Sequence, residues 1–468
     1  MSNLREEFTK KRCVAEEFRK LIDPQSAKKF LQKNLPGFQN GRFLIRDCQL
    51  LNAEYKAHPK TWLKNKSHLF ACYRLTVEDK RTQVQGTQML YVRAYQGGRG
   101  QKKFREIERG HLTPPRFGAA VVHLPEPDMI VWAFPNDPKL HHLAGVVDAE
   151  KVKKHLPYDR LPPGFRRCKD IVKVTIEVVK YRPTSCCIIH FHLETQTASG
   201  PKTLEMYGKN FRPGKGREIY QRMVHLWKES LSMPDSFGIA EPLGFSPATE
   251  TIWQQALPGQ SPEKIINRTN YRALLDSIAA RLAIFHGTRL TGLPEVTLGD
   301  YLKKTRRQVN VLGVNLENLR DYLALQLEQL AQTASSFSAI PRATLHSDFH
   351  INQMLVHQNQ IALLDFEDMS AGDPLQDLAK FIVKLHFCDF QREFVLQMAN
   401  QFFLAYRKYA NWKVPLSRLN WHIQRQIIST AYRFFRNPQT GLNGNPGNIF
   451  DLAPHMFINL NSTQNSHA

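Results

Sequence analysis

No run of about 18 apolar residues occurs in this chain, so no membrane-spanning helix is expected from it. The first residues, MSNLREEFTKKRC, are charged and lack an apolar segment, so no signal peptide is expected. Cysteine is scarce. The seven present, Cys13, Cys48, Cys72, Cys168, Cys186, Cys187 and Cys388, are odd in number, irregularly spaced and form no C-x-x-C pair. That pattern argues against a disulfide framework or a zinc site and for a reducing cytoplasm. Acidic residues are the minority charge: 42 Asp and Glu against 64 Lys and Arg, a net +22. The balance favours anionic partners such as a nucleotide, a phosphorylated substrate, an acidic polysaccharide, nucleic acid or a membrane surface. Much of it lies early, in 56–66, 99–109 and 151–154, where a solvated basic face is the competing explanation. Aromatic-interleaved basic strands and helix-turn-helix patterns are both missing, so nucleic acid is not expected as a partner.

What remains is an ordinary globular composition, 42% apolar and 23% charged, over 468 residues, enough for about two to four domains. Residues 1–40 read as helices. Leu4, Phe8, Val14, Phe18 and Leu21 recur at helical spacing, Asp23-Pro24 breaks the pattern, and Ser26 is expected to cap a second helix ending at Pro36-Gly37. Residues 41–165 read as a β-rich module containing the strands HLFACYRLTV and TQMLYVRAY, with a short helix starting near Asp148. Residues 166–258 repeat the strand pattern as a three-strand meander over about 172–211. The stretch 91–100 aligns without gaps on 207–216, matching Tyr91 with Tyr207, Arg93 with Lys209 and Tyr95 with Phe211. The first module is therefore a candidate duplicate of the second. Residues 259–468 are dominated by helices, among them 271–286 and 314–333, following an amphipathic helix at Arg217–Ser230.

The segment that carries chemistry is 344–382, TLHSDFHINQMLVHQNQIALLDFEDMSAGDPLQDLAKFI. A short apolar stretch leads into a loop with Asp348, then comes the strand Ile361–Leu364, then Asp365. A hairpin of this kind returns the second carboxylate beside the first. Phosphoryl transfer needs such a pair, one carboxylate to orient a hydroxyl and one to hold Mg²⁺ on phosphate oxygens.

This segment resembles the H-G-D-x-H-x-x-N, D-F-E/D and G-D-P-x-x-D-L-A motifs of the aminoglycoside phosphotransferase and choline kinase family. Weaker matches extend over about 170–460, and the first 165 residues look like the extra N-terminal module of maltokinases. The resemblance implies an α+β, bilobal protein kinase-like fold, with a small β-rich lobe and a large helical lobe, preceded by that extra β-rich module. It implies an ATP- and Mg²⁺-dependent kinase acting on a hydroxyl of a small molecule, with sugar, aminoglycoside and amino alcohol all open as acceptors. Asp348 would be the catalytic base and His346 would brace its loop. His350 would lie near substrate or be exposed. Asp365 would hold metal. The second metal position, an Asn in the family, is Gln353 here, with the adjacent Asn352 as the alternative. Glu367 and Asp368 read as surface charge. Asp373 and Asp377 read as structural, Asp373 capping the helix that carries Asp377. Lys209 would pair with nucleotide phosphates, and Glu218, or else Glu229, would pair with Lys209. Arg182–Ser185 would form the hairpin over the phosphates, and backbone groups of Gln254, Gln255 and Ala256 would meet the adenine. Gln353 and the basic first module also motivate a second reading, a catalytically weak nucleotide-binding scaffold.

Overall fold

The computed structural model describes residues 21–56, 68–95, 98–108, 110, 112–197, 200–233, 235–437 and 446–458. The first expected helix, Cys13, most of 56–66, Gln96 and Gly97 of the repeated stretch, and the last ten residues lie outside them. Two compact units result: Met1–Gly216 with Phe245–Trp253 and Phe434–Gly444, and Arg217–Gly244 with Gln254–Arg433 and Asn445–Ala468.

The first unit opens with helix α1 (Pro24–Asn34). Its cap is Asp23 rather than the expected Ser26. The Asp23 carboxylate accepts the Ser26 backbone N–H at 2.7 Å. Pro24 at the first helical position keeps Asp23 extended, at ψ 120°, which aims its side chain over the first turn. Ser26 supplies only its backbone. Strands β1 (Phe43–Lys56), β2 (His68–Asp79) and β3 (Val84–Tyr95) form an antiparallel meander. After helix α2 (Arg99–Arg105), the hairpin β4 (Val121–Leu124) and β5 (Met129–Ala133) adds to it, giving the order β1-β2-β3-β5-β4. Leu31 of α1 packs with Tyr73, Leu75, Val92 and Val131 in a core that is almost fully buried. A four-residue helix, α3 (Ala149–Val152), follows under an Asp148 cap, where the sequence places it.

Strands β6 (Ile171–Arg182), β7 (Cys186–Thr197) and β8 (Gly200–Phe211) make the second meander. Helix α4 (Gly216–Leu231) follows. In the second unit the strand β9 (Gly238–Ile239) comes next. The hairpin β10 (Pro242–Ser246) and β11 (Thr251–Gln255) then completes a sheet of order β6-β7-β8-β11-β10. Strand for strand, this is the order of the first sheet, with a helix at the same point.

The two sheets also share a device. The last residue of the third strand donates its N–H to an acidic residue standing just before the hairpin's second strand: Tyr95 to the Asp128 carbonyl at 2.8 Å, Phe211 to the Glu250 carbonyl at 2.9 Å. The acidic side chain then receives the N–H at the following helix start. Asp128 takes Gly100 N–H at 2.6 Å, and Glu250 takes Gly216 N–H at 3.4 Å. A carboxylate there satisfies a helix N–H that has no partner within its own helix. The approach is close enough that a Cβ on Gly100 would lie 2.3 Å from the Asp128 carboxylate. Duplication accounts for the shared arrangement, and we adopt it as a proposal.

In the second unit, helix α5 (Tyr271–Gly287) lies where the sequence places a helix and buries Leu275, Ile278, Leu282 and Phe285. After the short strand β12 (Glu295–Val296), helix α6 (Leu298–Asn315) starts at a capping box of Thr297 and Asp300. It is absent from the sequence reading. Its inner face carries Thr305 and Gln308 beside Val309 and Leu312, which blurs the apolar period. The helix expected at 314–333 is α7 (Arg320–Ser335), set off from α6 by a 3-10 turn at Glu317–Leu319. Strand β13 (Ala343–Leu345), the hairpin β14 (Met354–His357) and β15 (Gln360–Leu363), and β16 (Ser370–Gly372) precede three helices. These are α8 (Leu375–Leu385), α9 (Arg392–Tyr409) and α10 (Leu416–Arg436). Two small sheets form, β12-β16-β13 and β14-β15-β9. Among the described residues no helix is long and apolar enough to cross a membrane, and the six cysteines are free.

Asp128 also holds Gln101 N–H at 3.1 Å and His123 Nε2 at 2.8 Å. Replacing Asp128 with Ala leaves these donors without their acceptor. We expect a loss of about 1–3 kcal/mol of stability, the cost of leaving a buried donor unsatisfied, read by urea denaturation of the full chain. An unchanged midpoint would remove the carboxylate from the architecture of the first sheet.

Candidate active site

Strand β13 is buried along its length and ends at Leu345. The chain then turns through His346 and Ser347 into Asp348. Ser347 has a left-handed backbone, φ 66°, which only a firmly held non-glycine residue adopts. The hold comes from Asp377 in the first turn of α8, wholly buried, whose two carboxylate oxygens accept His346 N–H at 2.7 Å and Ser347 N–H at 2.9 Å. Behind it His286 Nε2 lies 3.5 Å from the same carboxylate, and His286 Nδ1 is 2.7 Å from the Tyr406 hydroxyl. His346 is also wholly buried, and its Nε2 donates to the Leu364 carbonyl at 2.8 Å, tying the Asp348 loop to the strand end that delivers Asp365. Below the loop, Phe349 packs on Phe381 at 5.6 Å, and Phe381 on Phe402 at 4.2 Å.

Asp348 and Asp365 meet at one side chain. Gln353 Nε2 lies 3.2 Å from Asp348 Oδ2 and 3.5 Å from Asp365 Oδ2. Asp365, like Ser347, is left-handed, φ 67°. Asn352 is turned elsewhere: its Oδ1 accepts the Ser261 hydroxyl at 2.9 Å. Of the two amides considered for the metal position, Gln353 is therefore the one beside Asp365. The donor set fits Mg²⁺. An amide and a carboxylate about 3.5 Å apart are one small closure from sharing a hard cation whose oxygen ligands sit at about 2.0–2.1 Å. Rotating the Gln353 amide by a half-turn presents its oxygen in place of its nitrogen.

The residue that sequence reasoning missed is Lys380. Its Nζ is 2.6 Å from Asp348 Oδ1 and 3.2 Å from the Ser347 carbonyl. The signal was available, because Lys380 stands three residues after Asp377 on α8 and so shares its face. Burial raises the Asp348 carboxyl, but the neighbouring His350 ring and the Lys380 charge outweigh it and hold the group well below the usual carboxylate range. His350 Nε2 is 3.6 Å from Asp348, which places it beside the loop and not out in solvent. Lys384, one turn beyond Lys380, is pushed down by burial to about 8, with Arg433 adding repulsion.

Asp373 caps α8 by accepting Leu375 N–H at 3.0 Å, as expected. Its other oxygen takes Arg418 Nε at 2.6 Å and His422 Nε2 at 2.8 Å, all three residues buried. Burial holds His422 below its usual range, so it donates as a neutral ring while Arg418 carries the countercharge.

In the first unit Lys209 stands two residues before the end of β8, opposite Ile188, with its Nζ 5.7 Å from the centre of the Phe211 ring. Arg182–Ser185 forms the tight turn between β6 and β7. It is pinned from the first module, since Asp137 accepts Thr184 N–H at 2.8 Å and the Tyr181 hydroxyl at 2.7 Å. Glu218 pairs with Arg222 on its own helix, and Glu229 Oε1 is 3.7 Å from His225. Gln254 and Gln255 end β11 beyond the buried Trp253, with Ala256 next, and Gln255 N–H bonds the Glu241 carbonyl at 3.0 Å.

Residues 197–412 match the model of the phosphotransferase enzyme family. Among solved structures, the chain is similar to an aminoglycoside phosphotransferase from Streptomyces rimosus, at 16% identity and a TM-score of 0.39, over 54% of this chain and 92% of that one. It is similar to a choline kinase from Streptococcus pneumoniae at 16% identity and a TM-score of 0.39, over 60% and 92%. A choline/ethanolamine kinase family protein from Mesorhizobium loti gives 14% identity and a TM-score of 0.41, over 61% and 89%. No curated protein sequence matches the chain.

The Asp373 carboxyl is lowered to about 2, with burial opposing and His422 and Arg418 prevailing. A folded-state value below the unfolded one gives stability that is full above about pH 4 and is lost as pH falls toward 2. Asp373→Asn, which leaves Arg418 buried and unpaired, is expected to cost about 3–5 kcal/mol at neutral pH. Measured by denaturant titration, its deficit against the wild type should shrink between pH 4 and pH 2; a deficit that stays constant would contradict the assignment.

Proposed function

Because residues 197–412 are a segment of the phosphotransferase enzyme family, we propose that this chain is an ATP-dependent kinase that phosphorylates a hydroxyl of a small molecule in the cytoplasm. The observation that carries the reading is the convergence of Asp348 and Asp365 on Gln353, 3.2 and 3.5 Å away. Asp348 orients the acceptor hydroxyl. The hydroxyl oxygen bonds to the γ-phosphorus, the bond from that phosphorus to the ADP oxygen breaks, and the hydroxyl proton passes to Asp348. A carboxylate held well below its usual range is a weak base. That suits a loose transition state, in which the proton leaves late and positioning matters more than basicity. Asp365 and Gln353 would hold Mg²⁺, which would draw charge from the phosphate oxygens. His346 keeps the loop in place. Lys209 faces the nucleotide phosphates, and backbone groups of Gln254 to Ala256 meet the base; Glu218, paired with Arg222 on its own helix, is not assigned to Lys209.

Lys380 fixes one oxygen of Asp348 and leaves the other toward Gln353 and His350. A hydroxyl acceptor needs only one free lone pair, so the clamp selects the orientation of the carboxylate without blocking it. The second reading, a weakly active nucleotide-binding scaffold, draws on Gln353 in the position of asparagine. MgATP binding without ADP release on any hydroxyl substrate would favour it.

Asp348→Asn is expected to keep MgATP affinity while turnover falls by about 10²–10⁴. Asp365→Asn is expected to raise the Mg²⁺ requirement instead, because a charged hard ligand is lost. Full turnover by Asp348→Asn, measured as ADP release, would end the assignment. The pH profile gives a separate check. With Asp348 lowered, the wild type keeps its kcat/KM as pH falls through about 4, the usual carboxylate range. Lys380→Met removes one of the lowering charges, so the acid limb of the profile should move to higher pH. An acid limb in the same place in both enzymes would mean that Lys380 does not set the Asp348 ionisation.

A further inference from the structure

The repeat in the first unit extends to a cavity. Arg93 stands two residues before the end of β3, as Lys209 does before the end of β8. Each cation lies over the ring of the strand's last residue: Arg93 is 5.0 Å from the Tyr95 centroid and Lys209 is 5.7 Å from that of Phe211. Arg93 also covers Phe70, at 4.9 Å. Beside Arg93 opens a cavity of about 530 Å³, within the roughly 300–1,000 Å³ of small-ligand sites. Its walls include Trp132 of β5 and Asn136, Asp137 and His141 of the segment after β5. In the second sheet the corresponding strand β11 ends with Gln254 and Gln255 and is followed by Ala256, the residues whose backbone was expected to meet the adenine. Lys103 of α2 adds a second cation.

The walls are already built. Asn136 donates to the carbonyls of Thr113 and Ala133, at 2.9 and 2.8 Å, and accepts Thr113 N–H at 2.8 Å. Asp137 receives the N–H groups of Lys139 and Leu140, at 2.7 and 3.0 Å. A ligand would therefore meet a fixed shape and two cations suited to phosphate. Glu106 and Glu108 on the lining suit the metal-complexed form of that phosphate. The first module has no counterpart of the Asp348 and Asp365 motifs, so no hydroxyl acceptor is oriented for attack on a nucleotide there.

We propose that this cavity is a second, non-catalytic site for a Mg²⁺-complexed nucleoside triphosphate, with Arg93 and Lys103 taking its phosphates. The inference rests on the reading of Lys209 as a phosphate ligand, and stoichiometry separates the two. Calorimetric titration of the full chain with Mg²⁺ and AMP-PNP is expected to give two sites per chain. Lys209→Met and Arg93→Met should each leave one. Lys103→Glu, a change at a partly exposed position that spares the packing of Arg93, should weaken the Arg93-dependent site at least tenfold. Two sites unchanged by Arg93→Met and Lys103→Glu would overturn the proposal. So would a single site removed by Lys209→Met alone, which leaves the catalytic reading standing. A single site removed by Arg93→Met and untouched by Lys209→Met would support the cavity and remove Lys209 from the nucleotide. An absence of binding would overturn both. Should Arg93→Met fail to fold, judged by circular dichroism, Lys103→Glu decides alone: a retained second site at wild-type affinity sinks the proposal.

Discussion

One buried carboxylate organises the catalytic segment. Asp377 accepts two consecutive backbone N–H groups of the Asp348 loop while lying in the first turn of its own helix, where the helix dipole favours negative charge. Bonds to a charged acceptor contribute about 1.5–3 kcal/mol each, enough to hold Ser347 in a left-handed conformation that costs of order 1–3 kcal/mol. The direction of Asp348 follows from that strain. So does the position of Lys380, since the same helix that carries Asp377 carries the lysine that reaches back to Asp348. Anchor and countercharge thus share one rigid element, and small shifts of α8 move them together.

The substitution of glutamine for asparagine has a geometric reading. The additional methylene lets Gln353 span both carboxylates, while Asn352 serves the local contact with Ser261. A shorter amide at 353 would have to choose one carboxylate. The longer one keeps the two aspartates in register before any cation arrives, at the cost of ordering one more rotatable bond.

The motifs around Asp348, Asp365 and Asp377 were legible because each is contiguous in sequence and its spacing maps directly on a loop, a strand end and a helix turn. Lys380 was passed over because its role depends on a helix folding back on a loop about thirty residues earlier, which no local period reports. Helix α6 escaped because its inner face is half polar. The cap of α1 was misplaced by three residues because serine is a common cap and the proline that recruits Asp23 was read only as a breaker. The repeat of the two meanders showed in the sequence through Tyr91, Arg93 and Tyr95. Its strongest sign, the paired acids Asp128 and Glu250, did not, because the stretches that separate them from the third strand differ in length and the two share charge but not residue type.

Late in the chain, Asn437 donates to Asn52 at 3.1 Å, and Arg436 forms an ion pair with Glu54. Both partners sit on β1, the outer strand of the first sheet, beyond which no further strand lies among the described residues. During synthesis that strand is made almost four hundred residues before the groups that cover it. A ribosome adding about 5–20 residues per second leaves it waiting for tens of seconds. The first sheet therefore carries an unfinished edge for much of the polypeptide's birth, which makes the nascent chain, more than the finished protein, the form in which edge-to-edge association is a hazard.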